Sequence, residues 1–232
     1  MGSLTAIGEA IGQLFYPHVC AGCGSDKLET DSSICWYCLS ELPATEFADQ
    51  PENPAERILW GRLPFDAVHA GFFLNRDSLM EHLIYQLKYK HQAALGEHLG
   101  MLLGGQLKKS VRFKPEALVP VPLHPKKLRQ RGYNQATVIA NGVAKELGIP
   151  IIEQVLIRKN FSGSQTRLGR MARWENSRST FCIQNSHRLR GKRILLLDDV
   201  LTTGATLESC GLLLNEISGT KVSMATICLS NL

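Results

Sequence analysis

Apolar residues recur along the chain with two periods, and the switches between them outline a fold. Val68–Leu74 is a β-branched and aromatic run of strand length, and Leu118–Val121 is a shorter one halted by Pro122. Pro150–Ile157, Arg193–Leu197 and Val222–Leu229 read as further strands. Between them the period lengthens. Met80, Leu83, Ile84 and Leu87 share one helical face, and a second helix follows to about Leu107. Ala136, Ile139, Ala140, Val143 and Leu147 line another helix, opened at Asn134 and ended at Gly148, and a further one runs from Ala205 to Ile217. Strands alternating with helices predict an α/β fold with a mainly parallel sheet covered on both faces. Ligands of such sheets sit beyond the carboxyl ends of the strands.

The first 60 residues follow a different pattern. Leu4, Ile7, Ile11, Leu14 and Phe15 have the spacing of a short amphipathic helix. Residues 17–43 are rich in Cys, Gly, Ser and Asp, with little apolar periodicity, and residues 44–60, with Pro51, Pro54 and several acids, have the composition of a linker. The expected division is therefore a helix and ribbon over 1–43, a linker over 44–60 and one large domain over 61–232. Four of the seven cysteines form two C-x-x-C pairs, Cys20/Cys23 and Cys35/Cys38. That spacing points to a metal in a reducing cytoplasm, not to a disulfide framework. Four thiolates fill a tetrahedral ion, so the expected zinc is structural, with no open position for catalysis. Its binding would supply the folding energy that so few apolar residues cannot. Cys182, Cys210 and Cys228 lie in apolar contexts and read as core.

Composition narrows the class. With 232 residues, 44% hydrophobic and 20% charged, the chain can bury a core. No apolar stretch approaches the ~18–20 residues that span a bilayer. The first 17 residues hold no Lys or Arg and no small-residue cleavage site, which argues against a secretory leader. Residues 108–193 hold 19 of the 26 Lys and Arg and only four acids, a local net charge of +15 against −10 for the rest. So polarised a chain suggests an anionic ligand, a small phosphate ester or a nucleic acid; a solvated basic face is the plain alternative.

The sharpest motif is Leu195-Leu196-Leu197-Asp198-Asp199-Val200-Leu201-Thr202-Thr203-Gly204-Ala205-Thr206-Leu207. A buried strand meets two acids, and a Thr/Gly loop then opens a helix. Backbone N–H groups and hydroxyls at a helix N-terminus cradle phosphate, which selects Thr202, Thr203, Gly204, Ala205 and Thr206. Asp198 and Asp199 suit vicinal sugar hydroxyls and water on Mg²⁺. The plain alternative is an N-cap at Thr203 beside solvated acids. Lys126, Lys127, Arg129 and Arg131 follow the second strand, where a pyrophosphate or a DNA backbone could be neutralised. Arg167, Arg170 and Arg173 lie in a Gly/Ser-rich stretch suited to a lid over the site.

The thirteen-residue motif resembles the phosphoribosyl pyrophosphate (PRPP) signature of type I phosphoribosyltransferases. Joined to a four-cysteine ribbon, it resembles the ComF family of competence and DNA-uptake proteins. Val119-Pro120-Val121-Pro122 running on to Gly132-Tyr133-Asn134-Gln135, the stretch Ser164-Gln165-Thr166-Arg167-Leu168 and the helix end Leu87-Lys88-Tyr89 extend the likeness over nearly the whole chain. The resemblance implies Mg-PRPP at the motif, a role in DNA uptake or utilisation, single-stranded DNA nearby, a helicase-like competence partner and single-strand-binding factors. One position departs from the hypoxanthine–guanine type of transferase, which carries an acid shortly after the acidic pair. Here it is Thr202, which cannot accept that proton, and no histidine spacing marks a replacement; His124 is the nearest candidate. Two functions follow: a phosphoribosyltransferase with an unnamed acceptor, or a PRPP-site protein that handles DNA. Base-stacking aromatics among the basic runs would favour the second, and Phe113, Tyr133, Phe161 and Trp174 are the ones available.

Overall fold

The computed structural model describes residues 19–29, 32–158 and 180–230. In chain order the elements are α1 (Trp36–Ser40), α2 (Pro54–Leu59), β1 (Val68–Leu74), α3 (Leu79–Tyr89), α4 (Ala93–Lys109), β2 (Ala117–Pro120), α5 (Pro125–Arg131) and α6 (Gln135–Leu147). Then come β3 (Leu156–Arg158), β4 (Phe181–Ile183), β5 (Arg193–Leu201), α7 (Ala205–Asn215) and β6 (Lys221–Ser230). The expected N-terminal helix and the stretch carrying Arg167, Arg170 and Arg173 lie outside the described residues.

The main sheet has the order β1-β6-β5-β2, with every pair parallel. Side chains of β5 alternate between two apolar layers, as a strand buried on both faces requires. Leu195 and Leu197 join Leu83, Leu87, Leu99 and Ile139 from α3, α4 and α6. Ile194 and Leu196 join Leu59, Leu207 and Leu214 from α2 and α7. The chain thus leaves β2 toward one face, by α6, and leaves β5 toward the other, by α7. The strands β2 and β5 are neighbours, so the sheet's switch point lies between their carboxyl ends.

Helices α4 and α6 cross backbone to backbone. Gly96, Gly100 and Gly104 form a stripe one turn apart along α4, and all three are buried. A Cβ at Gly100 would run into the Ile139 carbonyl oxygen, and one at Gly142 into the Glu97 carbonyl oxygen, with the Met101 nitrogen 2.6 Å away. Only glycine permits this approach.

Three expectations change. The strand read over Pro150–Ile157 is broken: Ile151 makes an isolated bridge to Leu118, and β3 turns away to pair antiparallel with β4. Gln154, at φ 60°, marks the turn. Strand β5 does not stop at Leu197 but runs on with β6 to Leu201. The basic stretch after β2, whose likeness to the family implies a proline- and arginine-rich loop, is a helix, α5, capped at its start by His124, whose Nδ1 accepts from the Lys126 amide at 3.1 Å. His124 therefore has a structural task.

Residues 44–60, read as a linker, are built against the edge of β1. Phe73 N donates to Pro43 O and Thr45 N to Gly71 O. Asn53 is fully buried and caps α2, accepting from Glu56 N while its amide donates to Val68 O. Glu56, also buried, receives Val68 N and the Arg112 guanidinium. The cysteine-bearing segment is likewise docked: Cys20, Ile34, Cys35 and Cys38 share one apolar cluster with Met80 and Leu83 of α3.

Overpacking typically costs ~1–3 kcal/mol, so Gly142→Ala should lower the thermal midpoint by roughly 2–12 °C for a chain of this size. A midpoint within about 1 °C of wild type would show that α4 and α6 can separate freely.

Candidate functional site

The site starts from a strand that ends early. Val121 N donates to Leu197 O at 2.8 Å, the last bond from the β2 chain to β5, and Pro122 has no N–H to give another. Strand β5 continues beside β6 alone, with Asp198 paired to Thr226. Asp198 and Asp199 therefore stand where one edge of β5 is open, at the switch point of the sheet.

A cavity of about 170 Å³ occupies that edge, lined by Lys88, Lys127, Arg131, Arg158, Asp198 and Asp199, with Asn134, Gln135 and Thr206 among the rest. Strand alternation places the two acids on opposite faces of β5 rather than side by side. Asp199 meets Lys88, at the end of α3, in an ion pair of 3.0 Å. Asp198 Oδ1 accepts the Asp199 amide at 2.9 Å. Burial, and next the charge of Asp199, push the Asp198 carboxyl up to about 7; Lys88 and Arg158 offset this only in part.

The loop Thr202–Thr206 forms a second, smaller hollow of about 30 Å³, which shares Asp198 and Thr206 with the first. Gly204 is the N-cap of α7, at φ 75°, and no side chain among the described residues caps the helix, Thr203 included. The first amides of α7 thus face the hollow without a side-chain acceptor. Packing also requires glycine at 204. A Cβ there would strike Leu59 Cδ2 at 2.7 Å and Ile58 Cγ2 at 3.0 Å, not the hollow. Its left-handed backbone and the nearness of α2 both demand glycine. Arg62, after α2, clasps the loop from behind: Nη1 donates to Thr203 O at 2.5 Å, and the guanidinium pairs with Glu208.

The basic residues divide. Lys127 and Arg131, one turn apart on α5, line the cavity. Lys126 and Arg129 are exposed and do not line it. Arg167, Arg170 and Arg173 lie outside the described residues. Lys88, Arg158 and Arg62 were not selected from the sequence as ligand groups. Lys88 had a signal, in the Leu87-Lys88-Tyr89 helix end; Arg158 and Arg62 lie far from the motif in sequence, and only topology brings them to it. Arg158 sits over the Phe181 ring at 5.2 Å, and its buried Nε has no hydrogen-bond partner among the described residues. Two of the stacking candidates are committed elsewhere: Phe113 is buried, and Tyr133 donates its hydroxyl to Leu87 O at 2.5 Å. Phe161 and Trp174 fall outside the described residues.

At the other end of α3 the four cysteines converge. One sulfur from each of Cys20, Cys23, Cys35 and Cys38 lies within 4.8 Å of all the others. Cys23 and Cys35 are 3.7 Å apart, near the ~3.8 Å edge of a tetrahedron with 2.3 Å metal–sulfur bonds. Amides of Gly22 and Cys35 donate to Cys20 Sγ at 3.4 and 3.2 Å. Burial acts to raise the Cys20 thiol, but the amides of Cys35, Cys23 and Gly22 hold it down at about 6. Donor type, number and spacing fit a closed thiolate metal site.

The chain matches the family described as phosphoribosyl transferase domain over residues 134–231. It is 28% identical over 203 residues to competence protein F of Haemophilus influenzae, covering 85% of this chain and 79% of that protein. It is 26% identical over 219 residues to DNA utilization protein YhgH of Escherichia coli, covering 90% and 89%. Competence protein ComFC of Streptococcus pneumoniae is 25% identical over 199 residues, covering 85% and 81%. Among solved structures, the glutamine PRPP amidotransferase of B. subtilis superposes with a TM-score of 0.44 at 20% identity, over 62% of this chain and under a third, 30%, of that one. The parallel sheet with its covering helices has the type I phosphoribosyltransferase-like fold. No helix among the described residues is long and apolar enough to cross a membrane.

The raised Asp198 predicts a pH dependence. A carboxyl held above its ordinary value of 3.8 binds its proton more tightly folded than unfolded. The stability this lends is complete below about pH 4 and fades as pH rises toward 7. Asp198→Asn, which keeps the shape and cannot ionise, should therefore gain on wild type in thermal midpoint between pH 5 and pH 8. A constant difference across that range would mean that Asp198 is already ionised at pH 5.

Proposed function

Because the chain belongs with the competence protein F and DNA utilization proteins and carries a phosphoribosyl transferase domain, we propose that its cleft binds PRPP with Mg²⁺ in the service of DNA uptake or utilisation. One observation carries the reading: an acid pair and four cations, Lys88, Lys127, Arg131 and Arg158, line a single cavity that shares Asp198 and Thr206 with the hollow at the N-terminus of α7. Asp198 and Asp199 would hold ribose hydroxyls. Thr202, Thr203, Gly204, Ala205 and Thr206 would hold the 5′-phosphate by amides and hydroxyls. Lys127, Arg131 and the Nε of Arg158, unpartnered among the described residues, would face the pyrophosphate, with Lys88 released toward it from Asp199.

Carboxylates beside a pyrophosphate suit Mg²⁺, which keeps several waters and takes few protein oxygens. Bound with PRPP, the ion would neutralise the pyrophosphate. The exposed Lys126 and Arg129 would serve a DNA backbone, a contact that positions a strand without reading its sequence. The four cysteines would hold structural zinc, and the place of Cys20, Cys35 and Cys38 in the apolar cluster around α3 ties the ribbon to the helix that carries Lys88.

Calorimetry with Mg-PRPP tests the site. Loss of a charged hydrogen-bonding partner costs ~1.5–3 kcal/mol, so Asp199→Ala should weaken binding roughly 10- to 150-fold. Wild type that ignores millimolar Mg-PRPP, or an Asp199→Ala variant that binds as wild type does, overturns the reading. Metal analysis under reducing conditions should return one zinc per chain and much less in Cys23→Ser; under about half an equivalent in wild type would remove zinc from the account.

A further inference from the structure

The basic helix α5 has aromatic neighbours that were not among the stacking candidates read from the sequence. Tyr85 and Tyr89 lie four residues apart on α3 and so share a face. Their rings are 5.0 Å apart between centres and tilted by 42°. Tyr85 is 50% exposed and Tyr89 52%, and neither hydroxyl has a hydrogen-bond partner among the described residues. Two large, half-exposed rings set at a tilt to each other, with their polar ends unused among the described residues, are not explained by the core.

Arg131 joins this pair to the cleft. Its guanidinium stands 5.4 Å from the centre of the Tyr89 ring, and the same side chain lines the cavity with Asp198 and Asp199. His91 Nδ1, just past the end of α3, lies 2.9 Å from the Arg131 carbonyl oxygen and holds the end of α5 against this corner. Helix α5 carries Lys126, Lys127, Arg129 and Arg131 and no acid. On the tyrosine helix the nearby acid is Glu81, whose carboxylate already accepts the Asp77 amide at 2.7 Å. Exposed π-faces beside a row of cations are what a flexible polyanion with unstacked bases requires. Base–aromatic stacking and backbone neutralisation are the two halves of single-strand binding.

We propose that Tyr85 and Tyr89, with Arg131 against them, form a base-stacking platform for single-stranded DNA whose backbone runs along α5. This rests on the DNA half of the function proposed above and assigns it a surface. Duplex DNA, whose bases are already stacked on one another, offers the rings nothing.

The test is anisotropy of a labelled oligo-dT strand and of an abasic strand of equal length, over a range of salt. Tyr85→Ala and Tyr89→Ala should each weaken oligo-dT binding roughly 5- to 150-fold, because a stacked base is worth ~1–3 kcal/mol. Neither should change binding of the abasic strand, and Tyr89→Phe should behave as wild type. Arg129→Gln should instead weaken both strands alike and reduce the salt slope by about 1. An unchanged thermal midpoint keeps the comparison clean, and half-exposed positions make that the expected result. Alanine variants that bind oligo-dT as wild type does, or that lose the abasic strand equally, overturn the platform alone. Wild type that binds neither strand at low salt overturns the DNA reading with it.

Discussion

Strand β2 cannot extend past Pro120 and Pro122, and the rest of the structure is arranged around the edge of β5 that it leaves open. A parallel sheet normally hides the edges of its inner strands. Here β5 keeps one partner, β6, for four residues after it has lost the other. Those residues include both acids, so each carboxylate reaches a cavity although its backbone is still held in a ladder. A loop could offer two acids as readily, but not with their direction set by a strand. The neighbouring β2–α5 turn supplies the opposite wall, and the connections leave to different layers, which keeps either helix from closing the gap.

The open edge also explains the electrostatics. Two adjacent carboxylates on a half-buried strand repel each other and are poorly hydrated. The protein answers unequally. Asp199 has Lys88 at 3.0 Å, whereas Asp198 has only an amide and more distant cations, and its proton affinity rises. A cavity with four cations on three different elements and two acids on a fourth is poorly balanced when empty. That imbalance is what a ligand carrying both hydroxyls and phosphates relieves.

Much of this was legible in the chain. Strand β1 has the bounds that its β-branched and aromatic run suggests, and α6 begins and ends where Asn134 and Gly148 mark a cap and a stop. The Asp-Asp and Thr-Thr-Gly-Ala-Thr residues come together because they are consecutive. What was not legible depends on pairing partners distant in sequence. The length of β5 is set by β6, which shares its register through Leu201, so the acids mark the open edge of the strand and not its end. The prolines and acids of residues 44–60 resemble a linker until Asn53 and Glu56 find Val68 and Arg112. Arg158 carries no local signal, since only folding places it at the acids. The tyrosines hid in plain helical periodicity: Tyr85 and Tyr89 occupy the solvent side of α3, where an aromatic residue is unremarked until its neighbour across space proves to be Arg131.

The glycine crossing of α4 and α6 bears on the cleft from a distance. Most helix pairs meet through a layer of side chains, and that layer acts as a gasket: it can be thinned or thickened by substitution, and the helices settle to a new spacing. Between α4 and α6 there is no gasket, because peptide groups are themselves in contact. The spacing is thus a fixed length of the molecule. Since α6 begins with Gln135 and Ala136 in the cavity wall, that length is also the position of the wall, and drift elsewhere in the core is not passed on to it.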